Sequence, residues 1–310
     1  FYPPHPFDSL SLLIPHRKPR PVRDRKVVNN LNRYRVAMPE LPEVESIRRQ
    51  LEPLITGKTI IKGHSFPSKK FSQAKLASGF GVLSVKRRGK YLLVNLEKES
   101  GGRSKLKELI IHLGMTGSVS IVEEKPDDPY VRAQWELDDG RTLLFRDIRR
   151  FGRIAFVNPN DYKSLPTLNN IGPEPFDSKL TAANFHKSLS CSKSHIKTKL
   201  LSQRIIAGLG NIYVDESLWR SHINPIARRI GKERSESLLF SIREVLSEAI
   251  KNGGTTFRDY RTPDGLTGKN QHNLDCYGRA GEACNACSSI LKNRVVGQRS
   301  TTWCPKCQVS

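Results

Sequence analysis

The chain is short of methionine, aromatic residues and acids. Of its 310 residues two are Met, 7% are aromatic, and 30 are Asp or Glu against 52 Lys or Arg. No apolar run approaches the ~20 residues that a bilayer-spanning helix requires, so the sequence offers no membrane anchor. There is no internal repeat. Cysteine is limited to six residues, and four of them fall in two C-x-x-C pairs. That pattern argues against a disulfide framework and for a metal site in a reducing compartment. The shortage of acids leaves a net charge of +22 and a pI near 10. A surplus of that size points to a polyanionic partner, with nucleic acid first, because Lys and Arg contacts to phosphate release counterions. The competing reading is a basic surface that serves solubility alone.

The scarcity of methionine also bears on where the functional chain starts. Residue 1 is Phe, and the two methionines are Met38 and Met115. Residues 1–37 hold six prolines and eight Lys or Arg against two Asp. Such a segment cannot bury a core and is expected to be disordered. It reads either as a basic presequence or as upstream sequence ahead of a start at Met38. A start at Met38 followed by methionine removal would leave Pro39 as the N-terminus, with a free secondary amine.

From Leu41 the apolar residues Val44, Ile47, Leu51 and Leu54 recur at helical spacing, with prolines at the start and Gly57 at the end. Glu40 and Glu43 fall in the first turn, where the helix dipole alone would favour them. Short strand-like runs follow: 81–85, 91–96, 109–113, 119–122, 135–137, 142–145 and 153–157, with Gly101–Lys107 as a loop tip. Asp138-Asp139-Gly140 is a hairpin signal. Many short strands separated by turns suggest a sandwich or flattened barrel. Asn158–Pro175, with four prolines, reads as a linker. The period then becomes helical over 180–189, 196–206, 211–220 and 234–251, and Thr255–Tyr277 reads as a mobile loop. The expected fold is therefore α+β, divided into an extension (1–37), a β-sandwich domain with a leading helix (38–158), a linker (159–175), a helical domain (176–275) and a cysteine-bearing finger (276–310).

Cys284, Cys287, Cys304 and Cys307 form two knuckles separated by sixteen residues, the spacing of a closed tetrahedral zinc site. Lys292, Arg294 and Arg299 lie between the knuckles and make the finger basic. Cys191 and Cys276 have no partner pattern. Gly208-Leu-Gly-Asn211 is a sharp turn before a helix, which could offer backbone N–H groups to a phosphate. Asn211 there reads equally as a helix cap or as a phosphate ligand. Arg87-Arg88-Gly89-Lys90 and Arg149-Arg150-Phe151-Gly152 set cations beside strand ends and an aromatic. They suit either phosphate contact and insertion into a base stack or a solvated charged edge.

Taken in order, Met38–Glu45, Arg87–Leu93, His112-Leu-Gly-Met-Thr-Gly117, Arg149–Gly152, Gly208–Tyr213, Tyr277-Gly-Arg279 and the cysteine finger resemble the blocks of formamidopyrimidine-DNA glycosylases, over about residues 38–308. The resemblance implies a bifunctional DNA glycosylase and abasic-site lyase of base excision repair. The N-terminal sandwich would be followed by a helix-two-turn-helix domain and a finger holding one structural zinc. The partner would be double-stranded DNA carrying oxidised purines or abasic sites, bound by a monomer inside the cell. Rival readings are an oxidised-pyrimidine glycosylase of the same superfamily and, if the extension stays attached, a non-catalytic zinc protein that binds damaged DNA.

By the same resemblance Pro39 is the nucleophile and Glu40 the acid/base group. Lys90, Asn211 and Arg299 grip phosphates near the lesion. Met115, Arg149 and Phe151 enter the duplex, Arg149 facing the orphaned cytosine. His112 and Arg150 belong to the DNA-binding blocks, Glu43 to the base pocket, and Lys197 and Tyr277 to phosphate contacts. Two departures stand out: Asp147-Ile148 where the family usually has Asp-Pro, and Gly268-Lys-Asn-Gln271 where an aromatic is expected before the Gln.

Overall fold

The structure, a computed structural model, describes residues 38–256, 265 and 267–309. The 1–37 extension and residues 257–264 and 266 of the Thr255–Tyr277 loop lie outside the described residues, and Asn270–Asn273 of that loop form a short 3-10 turn. The leading helix α1 spans Leu41–Ile55 and buries Val44, Ile47, Leu51 and Ile55 along one face. Thr56 ends it by donating its N–H to the Glu52 carbonyl at 3.0 Å.

Eight strands follow: β1 (Thr59–Ser65), β2 (Phe80–Arg88), β3 (Tyr91–Ser100), β4 (Arg103–His112), β5 (Gly117–Val122), β6 (Val131–Leu137), β7 (Thr142–Asp147) and β8 (Arg153–Val157). They form one antiparallel sheet in the order β5-β7-β6-β1-β2-β3-β4-β8. Val119, Phe145 and Trp135 from one end share a core with Leu109, Ile111 and Ile154 from the other. A sheet can do this only by folding over on itself, which gives the expected sandwich. Strand β1 is missing from the sequence reading, although Thr59-Ile60-Ile61 is a β-branched run two residues beyond the turn glycine Gly57. The loop tip expected over 101–107 shrinks to Gly101-Gly102: β3 and β4 run paired from Tyr91↔His112 out to Ser100↔Arg103.

The segment read as a linker is packed. Helix α2 (Pro166–Asn169) and its neighbours bury Leu165 and Leu168 against Tyr91, Leu93, Ile110 and Ala155 on the outer face of the sheet. Beyond it, α3 (Ala182–Ser190), α4 (Ile196–Leu201), α5 (Asn211–Arg220) and α6 (Lys232–Lys251) enclose a second core containing Phe185, Leu200, Ile206, Tyr213, Leu238 and Leu246. Leu41, the first residue of α1, also belongs to that core. Helix α4 stops five residues earlier than its apolar pattern suggests. Gln203 adopts φ +63° there, and its amide spans the turn to the Gly208 N–H and the Leu209 carbonyl. The chain ends in a hairpin of β9 (Lys292–Val296) and β10 (Arg299–Trp303). Among the described residues no helix is long and apolar enough to cross a membrane.

Candidate active site

The N-terminus of α1 and the N-terminus of α5 meet through one side chain. Pro39 and Glu40 are buried. The Glu40 carboxylate accepts hydrogen bonds from the N–H groups of Gly210 (2.6 Å), Ile212 (2.9 Å) and Tyr213 (3.5 Å). The first N–H groups of a helix have no partner within the helix, and the dipole there favours negative charge. Gly210 precedes α5 and has no side chain to fill that role, so a carboxylate 170 residues away fills it. A Cβ on residue 210 would lie 2.3 Å from Glu40 Cδ, so any larger residue there must displace the carboxylate. The Gly-Leu-Gly turn thus makes room for Glu40, and the anion at this helix end is the protein's own. Asn211 is the first helical residue rather than the cap. Its Nδ2 donates to the Ser300 carbonyl in the finger at 2.9 Å, and its Oδ1 is buried with no hydrogen-bond partner among the described residues.

Burial pushes the Glu40 carboxyl up to about 7. Lys90 opposes this rise, Glu43 adds to it, and the Gly210 and Ile212 amides hold it down. A carboxyl poised near neutrality suits proton transfer in both directions. Lys90 is itself buried, and desolvation lowers its pKa against the pull of Glu40 and Glu43, with Arg299 adding to the lowering. Glu40, Glu43, Lys90 and Arg299 therefore share one electrostatic neighbourhood.

The cations beside Lys90 are already engaged. Glu174 accepts from Arg87 Nη1 (2.7 Å), Arg88 Nη1 (2.9 Å) and the Gly89 N–H (2.7 Å). Arg87 also pairs with Glu45, and Arg88 reaches the Gly172 carbonyl. The arginines brace the β2–β3 turn that presents Lys90, and are neither a solvated edge nor free phosphate donors. Glu174 sits in Gly172-Pro-Glu-Pro175, where an acid between two prolines was the available signal.

Glu43 is fully buried beneath Glu40. Its carboxylate accepts from the Glu40 N–H (2.8 Å), the Tyr213 hydroxyl (2.5 Å) and the Thr255 N–H (2.6 Å). Desolvation raises its pKa. It thus holds the Thr255 backbone just beyond the end of α6.

The 148–151 loop is held rigidly behind its exposed side chains. Asp147 is buried and accepts from Thr116 Oγ1 (2.6 Å) and the Gly152 N–H (2.7 Å), while Thr116 Oγ1 accepts from the Arg149 N–H (3.0 Å). Arg149, Arg150 and Phe151 project from this frame and are exposed, and the Arg149 guanidinium lies 4.8 Å from the Phe151 ring centre. Lys70 braces the loop by donating to the Arg150 carbonyl at 2.8 Å. Met115 is half-exposed in the adjoining 113–117 turn. The His112 ring packs at a 43° tilt against Tyr91, with ring centres 4.6 Å apart. Burial, reinforced by Lys90, pushes its pKa down to about 4, so the ring is neutral. Its Nδ1 accepts from the Gly114 N–H at 3.3 Å, which leaves Nε2 as the donor.

Lys197 departs from expectation. Its side chain is wholly buried, and the ammonium donates to Asp215 Oδ1 (2.6 Å) and the Ser300 carbonyl (3.0 Å). The geometry commits it to an ion pair inside the protein instead of a phosphate. Asp215 also accepts from the Thr302 N–H, so this pair fastens the finger to α5. The next residue does the same: the Glu216 carboxylate receives the N–H groups of Asp275, Cys276 and Tyr277. Desolvation pushes it to about 7. Tyr277 is half-buried beside the helical core, and Arg299 is exposed at the start of β10. Sequence reasoning missed both acids, although Asp215-Glu216 inside an apolar helix of a basic chain was a readable signal.

The thiols of Cys284, Cys287, Cys304 and Cys307 lie within 4.8 Å of one another, with Cys284 to Cys307 at 4.0 Å and Cys287 to Cys304 at 3.4 Å. Zinc bonded to four thiolates at about 2.3 Å needs sulfur–sulfur edges of about 3.8 Å. The site fits the metal. Cys276 is buried nearby against the Thr302 carbonyl, and Cys191 is exposed elsewhere.

Three family models match the chain. Residues 38–154 match the formamidopyrimidine-DNA glycosylase N-terminal domain, 171–261 the H2TH domain of the same enzymes, and 281–309 the zinc finger found in FPG and IleRS. Curated relatives include formamidopyrimidine-DNA glycosylases from Deinococcus radiodurans (42% identical, covering 87% of this chain and 97% of the relative) and Thermus thermophilus (43%, 87% and 98%). The crystal structure of the MutM (FPG) protein from Thermus thermophilus superposes with a TM-score of 0.79 at 43% identity, covering 87% of this chain and 98% of that one. A complex between Lactococcus lactis Fpg and DNA containing an abasic site superposes with a TM-score of 0.77 at 33% identity, covering 87% and 100%. With models matched along most of its length and relatives above 40% identity, the chain belongs to the formamidopyrimidine-DNA glycosylase family.

Proposed function

We propose that this DNA glycosylase removes oxidised purines, namely 8-oxoguanine and formamidopyrimidines, from duplex DNA and then cuts the strand at the abasic site. The observation that carries the reading is the buried Glu40 carboxyl, held near neutrality beside Lys90 and directly following Pro39. Pro39 as an N-terminal residue supplies a secondary amine whose pKa near 8 leaves a useful neutral fraction. Its nitrogen attacks C1′ of the damaged nucleotide, and the glycosidic electron pair leaves with the base, which takes up a proton. Pro39 sheds its N–H proton, the C1′–O4′ bond breaks as the ring oxygen takes up a proton, and the product is a ring-opened iminium ion, a cation that acts as an electron sink. Loss of a C2′ proton then expels the 3′ phosphate, and a second elimination expels the 5′ phosphate. Water finally releases Pro39.

Glu40 moves the protons at the sugar ring oxygen and C2′. Lys90, Asn211 and Arg299 hold the flanking phosphates, with His112, Arg150 and Tyr277 extending the contact to DNA. Arg149 meets the orphaned cytosine while Met115 and Phe151 fill the stack left by the flipped nucleotide. Glu43 anchors the pocket loop, and Lys197 acts through the finger. The match to the N-terminal domain begins at Met38, which supports Pro39 as the working terminus. The enzyme acts as a single chain within the cell, where its DNA is. Base release from duplexes carrying 8-oxoguanine or thymine glycol tests the substrate class. Preferential release of 8-oxoguanine is expected, and preferential release of thymine glycol would move the chain to the oxidised-pyrimidine branch.

A further inference from the structure

Helix α5 presents a continuous face to the finger through Asp215, Glu216 and Trp219. The first two hold finger and approach backbone through carboxylates, and the third reaches the cysteine cluster itself. Trp219, in the last turn of α5, donates its indole Nε1–H to Cys284 Sγ at 3.4 Å and packs in the small core formed by Cys276, Cys284, Leu291 and Cys304. Other thiol donors among the described residues belong to the finger: the Cys307 N–H reaches Cys304 Sγ at 3.3 Å, the Lys306 backbone also serves Cys304, and Ser289 reaches Cys287. Trp219 alone among these approaches from outside the finger, on the helix whose opposite end carries Asn211 and is capped by Glu40.

Four thiolates around one zinc ion leave a net charge of about −2 on the centre. Donors aimed at the sulfurs offset that charge, fix ligand orientation and resist displacement of the metal. We propose that Trp219 is a positioning residue for the zinc centre: its indole N–H holds the Cys284 thiolate and slows release of the metal. An aromatic that merely fills the apolar space between α5 and the knuckle would need no N–H pointed at sulfur.

The test uses the full chain with ¹⁵N-labelled tryptophan and ¹¹³Cd in place of zinc. The chain has three tryptophans: Trp135, Trp219 and Trp303. Trp135 donates to the Ala74 carbonyl in the sandwich core. One indole N–H is expected to show scalar coupling to ¹¹³Cd through the hydrogen bond, and Trp219→Phe should abolish that signal. In the zinc-loaded Trp219→Phe chain, transfer of zinc to a competing chelator should increase about 10-fold, the lower end of what loss of an outer-shell partner costs. Absence of any indole resonance coupled to ¹¹³Cd overturns the proposal, as does zinc transfer within twofold of the unaltered chain. Should Trp219→Phe fail to fold, the coupling measured in the unaltered chain decides alone.

Discussion

Replacing Lys197 by Met separates two accounts of this residue. A phosphate ligand could be truncated with little effect on stability and a clear loss of DNA affinity. A buried ion-pair partner could not. Lys197 has no exposed side-chain surface, and Asp215 is 1% exposed. Removing one member of such a pair leaves a buried charge uncompensated, which costs about 3–5 kcal/mol. With a urea m-value of about 2 kcal/mol/M, the unfolding midpoint should fall by about 2 M.

The loss should also depend on pH. Asp215 is already pushed up to about 6 by burial, with Lys197 holding it down. Without the lysine it rises further. A carboxyl whose folded pKa lies above its unfolded value contributes stability at low pH and loses it as pH climbs through the folded pKa. The gap between the two chains should therefore widen above pH 6, by up to about 1.4 kcal/mol per unit of additional rise. Urea melts at pH 5.5 and pH 8 measure both effects. A loss below about 1 kcal/mol that is the same at both pH values would refute the buried-pair reasoning and return Lys197 to the phosphate role.

Glu40→Gln should lower base release about 10²- to 10⁴-fold, the usual worth of a positioned acid/base group, and erase the limb of the pH–rate profile near pH 7. Glu216→Gln should destabilise the fold, by an amount that shrinks as pH rises from about 4.5 to 7. The native carboxyl is raised from 4.5 to about 7 and so favours the fold below that window, which thermal melts across the range would resolve. Gly210→Ala sets a Cβ against the Glu40 carboxyl and should cost about 1–3 kcal/mol in a melt, with a loss of activity that Gly231→Ala, at φ −68° and with nothing closer than 3.5 Å to its Cβ, does not share.

Much of the site was legible because its residues sit in short local patterns. Pro39, Glu40 and Glu43 occupy one helix start, and the zinc ligands declare themselves by spacing. The exposed Arg149–Phe151 loop followed from cations beside an aromatic at a strand end. The unreadable part consists of long-range hydrogen bonds between buried groups. Nothing local in Gly208-Leu-Gly-Asn211 says that a glutamate 170 residues away fills the turn, so a phosphate stays as open a reading of the motif as a helix cap. Arg87 and Arg88 looked free because Glu174, which binds both, lies 87 and 86 residues away. Lys197 carries no mark of burial, since its partner Asp215 stands a helix and a turn further on. The short strand β1 was lost for a different reason: its exposed Ile61 breaks the alternation that identifies a half-buried strand.

The central claim is that the Pro39 nitrogen is the nucleophile, and borohydride trapping tests it most directly. A chain starting at Pro39 is mixed with a duplex containing 8-oxoguanine opposite cytosine, and the iminium ion is reduced to a stable cross-link. The account predicts a covalent protein–DNA adduct whose mass places the sugar on residue 39, lost in Pro39→Gly and absent when residues 1–38 remain attached. Absence of the adduct from the trimmed chain, or an undiminished yield in Pro39→Gly, would contradict it.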